Sequence, residues 1–162
     1  MKKTLQRGYS LVEILITIGI FAILSGLATI SLLNAQHSAS LQGQLTTLIA
    51  DTKQQQIKAM QGDTEGRATP DYYGIHFASN SYTLFHGTSY NASDSTNLTF
   101  PLDTVFQFTN ITLTNGNLIF IPLSGEMYGY STLANSVILK DTTNNQQKQL
   151  QFNYLGVLTG IN

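Results

Sequence analysis

The chain has no cysteine, which excludes a disulfide framework, a thiolate metal site, a cysteine nucleophile and lipid attachment through cysteine. Charge is also scarce. Asp, Glu, Lys and Arg make up 10% of the 162 residues, against about 25% in ordinary soluble domains. Thr, Ser, Asn, Gln and Gly fill the shortfall, so the surface is polar but nearly uncharged. Proline occurs three times, and never before Pro70, so nothing in residues 1–69 forces a break in a helix. Basic residues are missing where a polyanion would need them. Beyond Gln61 only Arg67, Lys140 and Lys148 stand against Asp63, Glu65, Asp71, Asp94, Asp103, Glu126 and Asp141. That is the reverse of the clustered cations that neutralise phosphates, and it argues against nucleic acid as a partner.

Hydrophobic residues reach 42%, enough for the core of one domain plus an appendage. The N-terminus is where the charge concentrates, with Lys2, Lys3 and Arg7 in the first eight residues and no acid among them. Without those eight, five basic residues face nine acidic ones, a formal charge of −4. From Ile14 to Leu33 the chain is uncharged, and twenty residues in a helix rise about 30 Å, the thickness of a bilayer core. The basic leader, and the absence of Lys or Arg between Arg7 and Lys53, predict a single-pass protein. Its N-terminus lies in the cytoplasm and its C-terminal domain outside, by the positive-inside bias. A cleaved secretory signal fits less well, because the run is too long and bulky Leu33 precedes Asn34-Ala35 where a small residue is wanted. One acid interrupts this picture. Glu13 stands at the head of the apolar run, where an intramembrane carboxylate costs about 2.5–3.5 kcal/mol and calls for a partner.

The helical pattern continues past the membrane boundary. Leu41, Leu45, Leu48, Ile49, Thr52, Ile57 and Met60 recur between polar residues as one apolar stripe, and one helix is expected from about Ser10 to Gln61, with Gly62 ending it. Beyond Gly62 the period becomes alternating. Strands are expected at residues 72–77, 81–86, 106–113, 117–121, 136–140 and 149–155. Asn115-Gly116, between two alternating runs, predicts a hairpin joining the third and fourth, since both residues tolerate positive φ. Six or seven short strands imply an antiparallel sheet or small sandwich, its apolar side covered by the helical stripe. The expected fold class is therefore α+β, with a long N-terminal helix packed on a C-terminal antiparallel β-domain. The expected segments are residues 1–8, 9–33 in the membrane, 34–61 as the amphipathic continuation, and 62–162 as the globular part.

Lys2-Lys3, Arg7-Gly8 and Tyr9-Ser10-Leu11-Val12-Glu13 before the apolar run resemble the class III signal of type IV pilins and type II secretion pseudopilins. The resemblance implies that residues 1–8 are a leader cut after Gly8 by a prepilin peptidase, which also N-methylates the new terminus at Tyr9. It further implies that Glu13 meets the amine of a neighbouring subunit, so the partner of the charge comes from another chain. Tyr in place of the usual Phe, and Ser10 in place of Thr, are mild departures. Gly19 and Gly26, with Ala22, Ser25, Ala28 and Thr29, offer small surfaces for close helix approach. Many major pilins carry a proline in the second half of the span; its absence here leans toward a minor subunit. The C-terminal half, through residues 118–125, 137–139, 150–152 and 156–158, resembles the closing strands of H-type minor pseudopilins (GspH/FimT type). Residues 73–77 and 82–85 fit the same pattern, while Gly87 to Asp103 is unmatched.

No catalytic constellation emerges. Of His37, His76 and His86, the last two fall on adjacent expected strands, yet neither has an acidic residue beside it in sequence to orient it. Ser124 lacks the leading glycine of a nucleophile elbow. Calcium, which some pseudopilins bind, is raised by Asn91, Asp94, Asn97 and Asp103 and by Asp141, Asn144 and Asn145, but turn chemistry accounts for both sets; no metal or cofactor is assigned. The expectation is a non-enzymatic structural subunit of a type IV pilus or type II secretion pseudopilus. Its partners would be sister pilins, the prepilin peptidase, the inner-membrane assembly platform and, before assembly, membrane lipid. The alternatives are a DNA-uptake minor pilin and a monomeric membrane-tethered β-domain that binds a soluble ligand.

Overall fold

The computed structural model describes residues 9–161. The chain divides into two compact units, with the boundary between Ser38 and Ala39. One helix, α1 (Leu11–Gln61), runs through both. In the second unit it is followed by β1 (Tyr73–Ala78), β2 (Ser81–His86), β3 (Leu98–Pro101), β4 (Phe106–Thr109), β5 (Asn117–Phe120), β6 (Ser136–Asp141), β7 (Gln147–Phe152) and β8 (Leu158–Ile161). The fold is α+β, as expected.

Both ends of α1 are closed by local chemistry. Ser10 is the N-cap, its Oγ accepting from the Glu13 N–H at 3.2 Å. At the far end Gly62 adopts φ +65°, its N–H donating to the Ala59 carbonyl and that of Asp63 to the Lys58 carbonyl, both at 3.0 Å. This is the Schellman pair, and it places Gly62 where the sequence predicts the stop.

The apolar face of the second half of α1 differs in part from the expected stripe. Leu41, Leu45, Leu48, Thr52, Gln55 and Ala59 are buried, whereas Ile57 and Met60 are each 51% exposed. Steps of three and four keep residues on one helical face; the five-residue step from Thr52 to Ile57 leaves it, so Gln55 and Ala59 take the inward positions. Thr52 satisfies its buried hydroxyl by donating to the Leu48 carbonyl at 2.7 Å.

The eight strands form two four-stranded antiparallel sheets, ordered β3-β2-β1-β5 and β4-β6-β7-β8. In the first sheet Tyr73, Ile75 and Phe77 pair with His86, Leu84 and Tyr82 on one side, and Tyr73 and Ile75 with Phe120 and Leu118 on the other. In the second, Phe108 opposes Leu139 and Val137 opposes Leu150. Apart from His86, these inward residues of both sheets join Leu41, Leu45, Leu48 and Ala59 in one core. The sheets meet where Phe108 packs edge-on against Phe77, ring centroids 5.1 Å apart.

The expected hairpin around Asn115-Gly116 does not form. Both residues do take positive φ, 54° and 71°, but β4 and β5 lie in different sheets. Asn110, at φ 46°, ends β4 after Thr109. Thr112 then bonds to Ser136, N–H to carbonyl at 2.9 Å and hydroxyl to hydroxyl at 3.1 Å. The turn thus carries the chain from one sheet to the other, and β5 pairs with β1. The pattern also missed β3, in the unmatched stretch, and β8. The strand expected at 106–113 stops at Thr109, and the one expected at 149–155 runs instead from Gln147 to Phe152.

Candidate functional site: the N-terminal apolar helix

The first unit holds the residues singled out by sequence. Lys2, Lys3, Arg7 and Gly8 lie outside the described residues; Tyr9 and Glu13 are described. Tyr9 is 80% exposed, one residue before the N-cap. Glu13 is exposed in the first turn of α1, three residues after Ser10. Ser10-Leu11-Val12-Glu13 therefore has the spacing of a capping box, and an acid there is favoured by the positive end of the helix dipole. Hydrophobic periodicity does not show this cap, although Ser-x-x-Glu is legible in the sequence. The cap engages the Glu13 backbone N–H and leaves the carboxylate with no bonding partner among the described residues.

Around that carboxylate the helix is apolar on every side. Its most apolar window of 18 residues has a mean hydropathy of 2.4 and no buried residue, long and apolar enough to cross a membrane. Leu11, Leu15, Ile18, Phe21 and Ile23 are each between 64% and 79% exposed. Exposing one such side chain to water instead of burying it costs about 1.5–3 kcal/mol, so over the whole surface the cost reaches tens of kcal/mol. Water is not the solvent for which this surface is built. Two hydroxyls on it are self-satisfied, Thr17 donating to the Ile14 carbonyl and Thr29 to the Ser25 carbonyl, each at 2.9 Å. Gly19 and Gly26 have nothing within 4 Å of where a Cβ would stand, which leaves flat places for another helix. Chemically this is an apolar surface carrying one carboxylate. Were an apolar cover to close over it, the carboxylate would call for a cation, since an unpaired charge in low dielectric is costly.

In the second unit, the segments after β5 and β7 hold the end of α1. Gln56 Nε2 donates to the carbonyls of Gly125 at 2.9 Å and Leu155 at 2.8 Å, and the Leu123 N–H reaches the Ala59 carbonyl at 2.8 Å. Gly125 is required there, because a Cβ would stand 2.3 Å from Met60 Cγ. Across the first sheet, the Tyr82 hydroxyl donates to Asp51 of α1; burial and that bond push the hydroxyl pKa up.

The histidines separate. His76 Nδ1 lies 2.8 Å from Asn117 Oδ1, and its ring stacks on Tyr90. His86 sits between two acids that sequence order did not show, Asp71 and Asp94. Ser124 Oγ accepts from the Glu126 N–H in a turn. The oxygens weighed for calcium serve their own loops: Asn91 Oδ1 accepts from Ser93, Asp94 Oδ1 from Thr96, Asp141 Oδ1 from Thr143 and Asn144 Oδ1 from Gln146. Among the described residues no group of three or more acidic or histidine side chains is arranged to hold a metal ion.

No curated protein and no solved structure matches the chain. Residues 3–29 match the family model described as the prokaryotic N-terminal methylation motif, a stretch that spans Gly8, Tyr9 and Glu13 and most of the apolar run, and this supports a type IV pilin-like protein.

Proposed function

We propose that this protein is a non-enzymatic structural subunit of a type IV pilus or type II secretion pseudopilus, and within that class a minor subunit of the H type. Its leader, residues 1–8, is cut after Gly8 by a prepilin peptidase, and Tyr9 becomes the methylated N-terminus. Residues 9–33 hold the chain in the inner membrane with the N-terminus cytoplasmic and residues 62–162 outside. Residues 34–61 join the two. On contact with the assembly platform the helix leaves lipid for a bundle of like helices, and Glu13 pairs with the Tyr9 amine of a neighbouring subunit. The observation that carries this reading is the methylation motif lying on an exposed apolar helix whose one carboxylate has no partner among the described residues. At about 4 Å a charge pair is worth about 4 kcal/mol at an effective dielectric of 20, enough to favour the bundle over lipid once the free amine exists.

The test uses two substitutions in the native host. Replacing Gly8 should leave an unprocessed, full-length membrane protein that does not enter fibres. Glu13→Gln keeps the backbone bond to Ser10 and removes only the charge, so it should be processed yet fail to assemble. Mass spectrometry of the wild-type protein should find a methylated Tyr9 terminus; Met1 to Gly8 retained in assembled material overturns the reading. For the DNA-uptake alternative, a gel-shift titration at low salt should show no retardation. Crosslinking to other pilins separates the fibre subunit from a tethered monomer.

A further inference from the structure

The connection between β2 and β3, residues 87–97, is fastened to β2 at two points on opposite faces. Strand alternation puts Phe85 on the face with Thr83 and His76, and there Tyr90 stacks on the His76 ring, centroids 4.0 Å apart and planes within 5°, and meets Phe85 edge-on at 5.6 Å. His86 lies on the other face, with Leu84 and Tyr82. Its Nδ1 is 2.8 Å from Asp71 Oδ2, and its Nε2 is 3.4 Å from Asp94 Oδ2. The other Asp94 oxygen organises the loop, accepting from the Thr96 N–H at 2.9 Å and the Thr96 hydroxyl at 2.7 Å. The Asn97 side chain closes the same turn onto the Asn91 carbonyl at 2.8 Å. One carboxylate thus shapes residues 91–97 and ties them to His86.

The two ring nitrogens of His86 each face a carboxylate. A neutral imidazole has one N–H, so one nitrogen would turn a lone pair toward an anion; only the imidazolium donates on both sides. The remaining charged and titratable groups around the site are Lys58 from α1, Glu65 and Arg67 from the α1–β1 connection, and Tyr73 opposite His86 on β1. Lys58 pairs with Glu65, and Arg67 Nε sits 3.2 Å from Asp71. Asp71 therefore keeps a cation whatever His86 does, whereas Asp94 has His86 as its only ion-pair partner among the described residues.

We propose that His86 is a protonation-dependent clasp: as the imidazolium it holds residues 91–97 against the β-domain, and on losing its proton it frees them while Tyr90 keeps the start of the loop docked. The clasp is closed where the imidazolium and both carboxylates are charged. It opens as rising pH takes the second proton from the His86 ring, which leaves one nitrogen without a proton to give its carboxylate. A surface loop of an exported domain would thereby change its presentation with external pH.

Residue-resolved hydrogen exchange on the full chain in detergent micelles tests this, with protection factors corrected for intrinsic exchange. Between about pH 5.5 and about pH 7.5 the protection of the Thr96 and Asn97 amides should fall by about fivefold, the upper scale of one partly exposed ion pair. The amides of Phe77 and Phe85 should not change. In Asp94→Asn and His86→Gln the loop should be weakly protected at both pH values, with no step between them. Asp94 lies on an exposed loop, so its variant reports even if the His86 change disturbs the sheet. Equal wild-type protection at both pH values, or a step that persists in Asp94→Asn, overturns the clasp.

Discussion

Tyr73 and Tyr82 are buried phenols whose hydroxyls are tied to charged or carbonyl partners. Tyr73 is pushed up to about 12, by burial first and then by the Glu65 and Asp63 carboxylates; its hydroxyl donates to the Asp63 carbonyl and accepts from Arg67, each at 3.0 Å. Tyr82 is raised by burial and by its bond to Asp51. In both cases the folded protein holds the phenolic proton more tightly than the unfolded chain does. Their stabilisation is therefore complete below about pH 10 and is lost as pH climbs through the folded value. Thermal melts should show a stability loss that begins near pH 10. Tyr82→Phe should lower stability by about 1.5 kcal/mol at neutral pH, from the lost bond to a charged acceptor, and should flatten the alkaline limb. The residue types were legible in sequence; the Tyr82–Asp51 pair was not, since the two are brought together only by β2 crossing α1.

Among the elements, α1 is the one whose limits follow from nearest neighbours. Ser10 caps its start, and Gly62 ends it with a conformation that only glycine adopts freely. Gly62→Ala should cost about 1–2 kcal/mol, from forcing the left-handed conformation and from a Cβ that would stand 2.6 Å from Leu123 Cδ2. Urea titration should show a lower midpoint with an unchanged slope. The strands are different. Their alternation is local, so β1, β2 and β6 could be read within a residue or so, but which strand lies beside which is not. Asn115-Gly116 has the turn geometry its residues predict, yet the bonds between Thr112 and Ser136 and the positive φ of Asn110 decide that the turn changes sheets. β3 escaped notice because its four residues are all exposed, so it shows no buried alternation to detect.

At the scale of the whole molecule, the two units bury their apolar residues in opposite ways. In the second unit α1 and both sheets share one core, with Phe120 fully buried and its ring against Gly156. Phe120→Ala should cost about 3–5 kcal/mol, a large part of the usual 5–15 kcal/mol of a domain. Because the core is common, tyrosine near-ultraviolet dichroism and the hydrogen-exchange protection of both sheets should be lost in one transition. In the first unit the same residue types face outward along 18 residues or more, so no core of its own holds them.

What the sequence alone determined are the properties carried by neighbours in the chain: a charge-poor surface, a basic head, an uncharged span with one acid, a helix with a cap at each end, and alternation that makes the rest β. These depend on contacts between residues a few positions apart, and such contacts form with little loss of chain entropy. Long-range packing sets the rest: that there are two sheets rather than one, that Gln55 and Ala59 complete the inward face of α1, and that Asp71 and Asp94 flank His86. Each of those joins distant segments, and which distant pair wins depends on the packing of the whole core rather than on any local pattern.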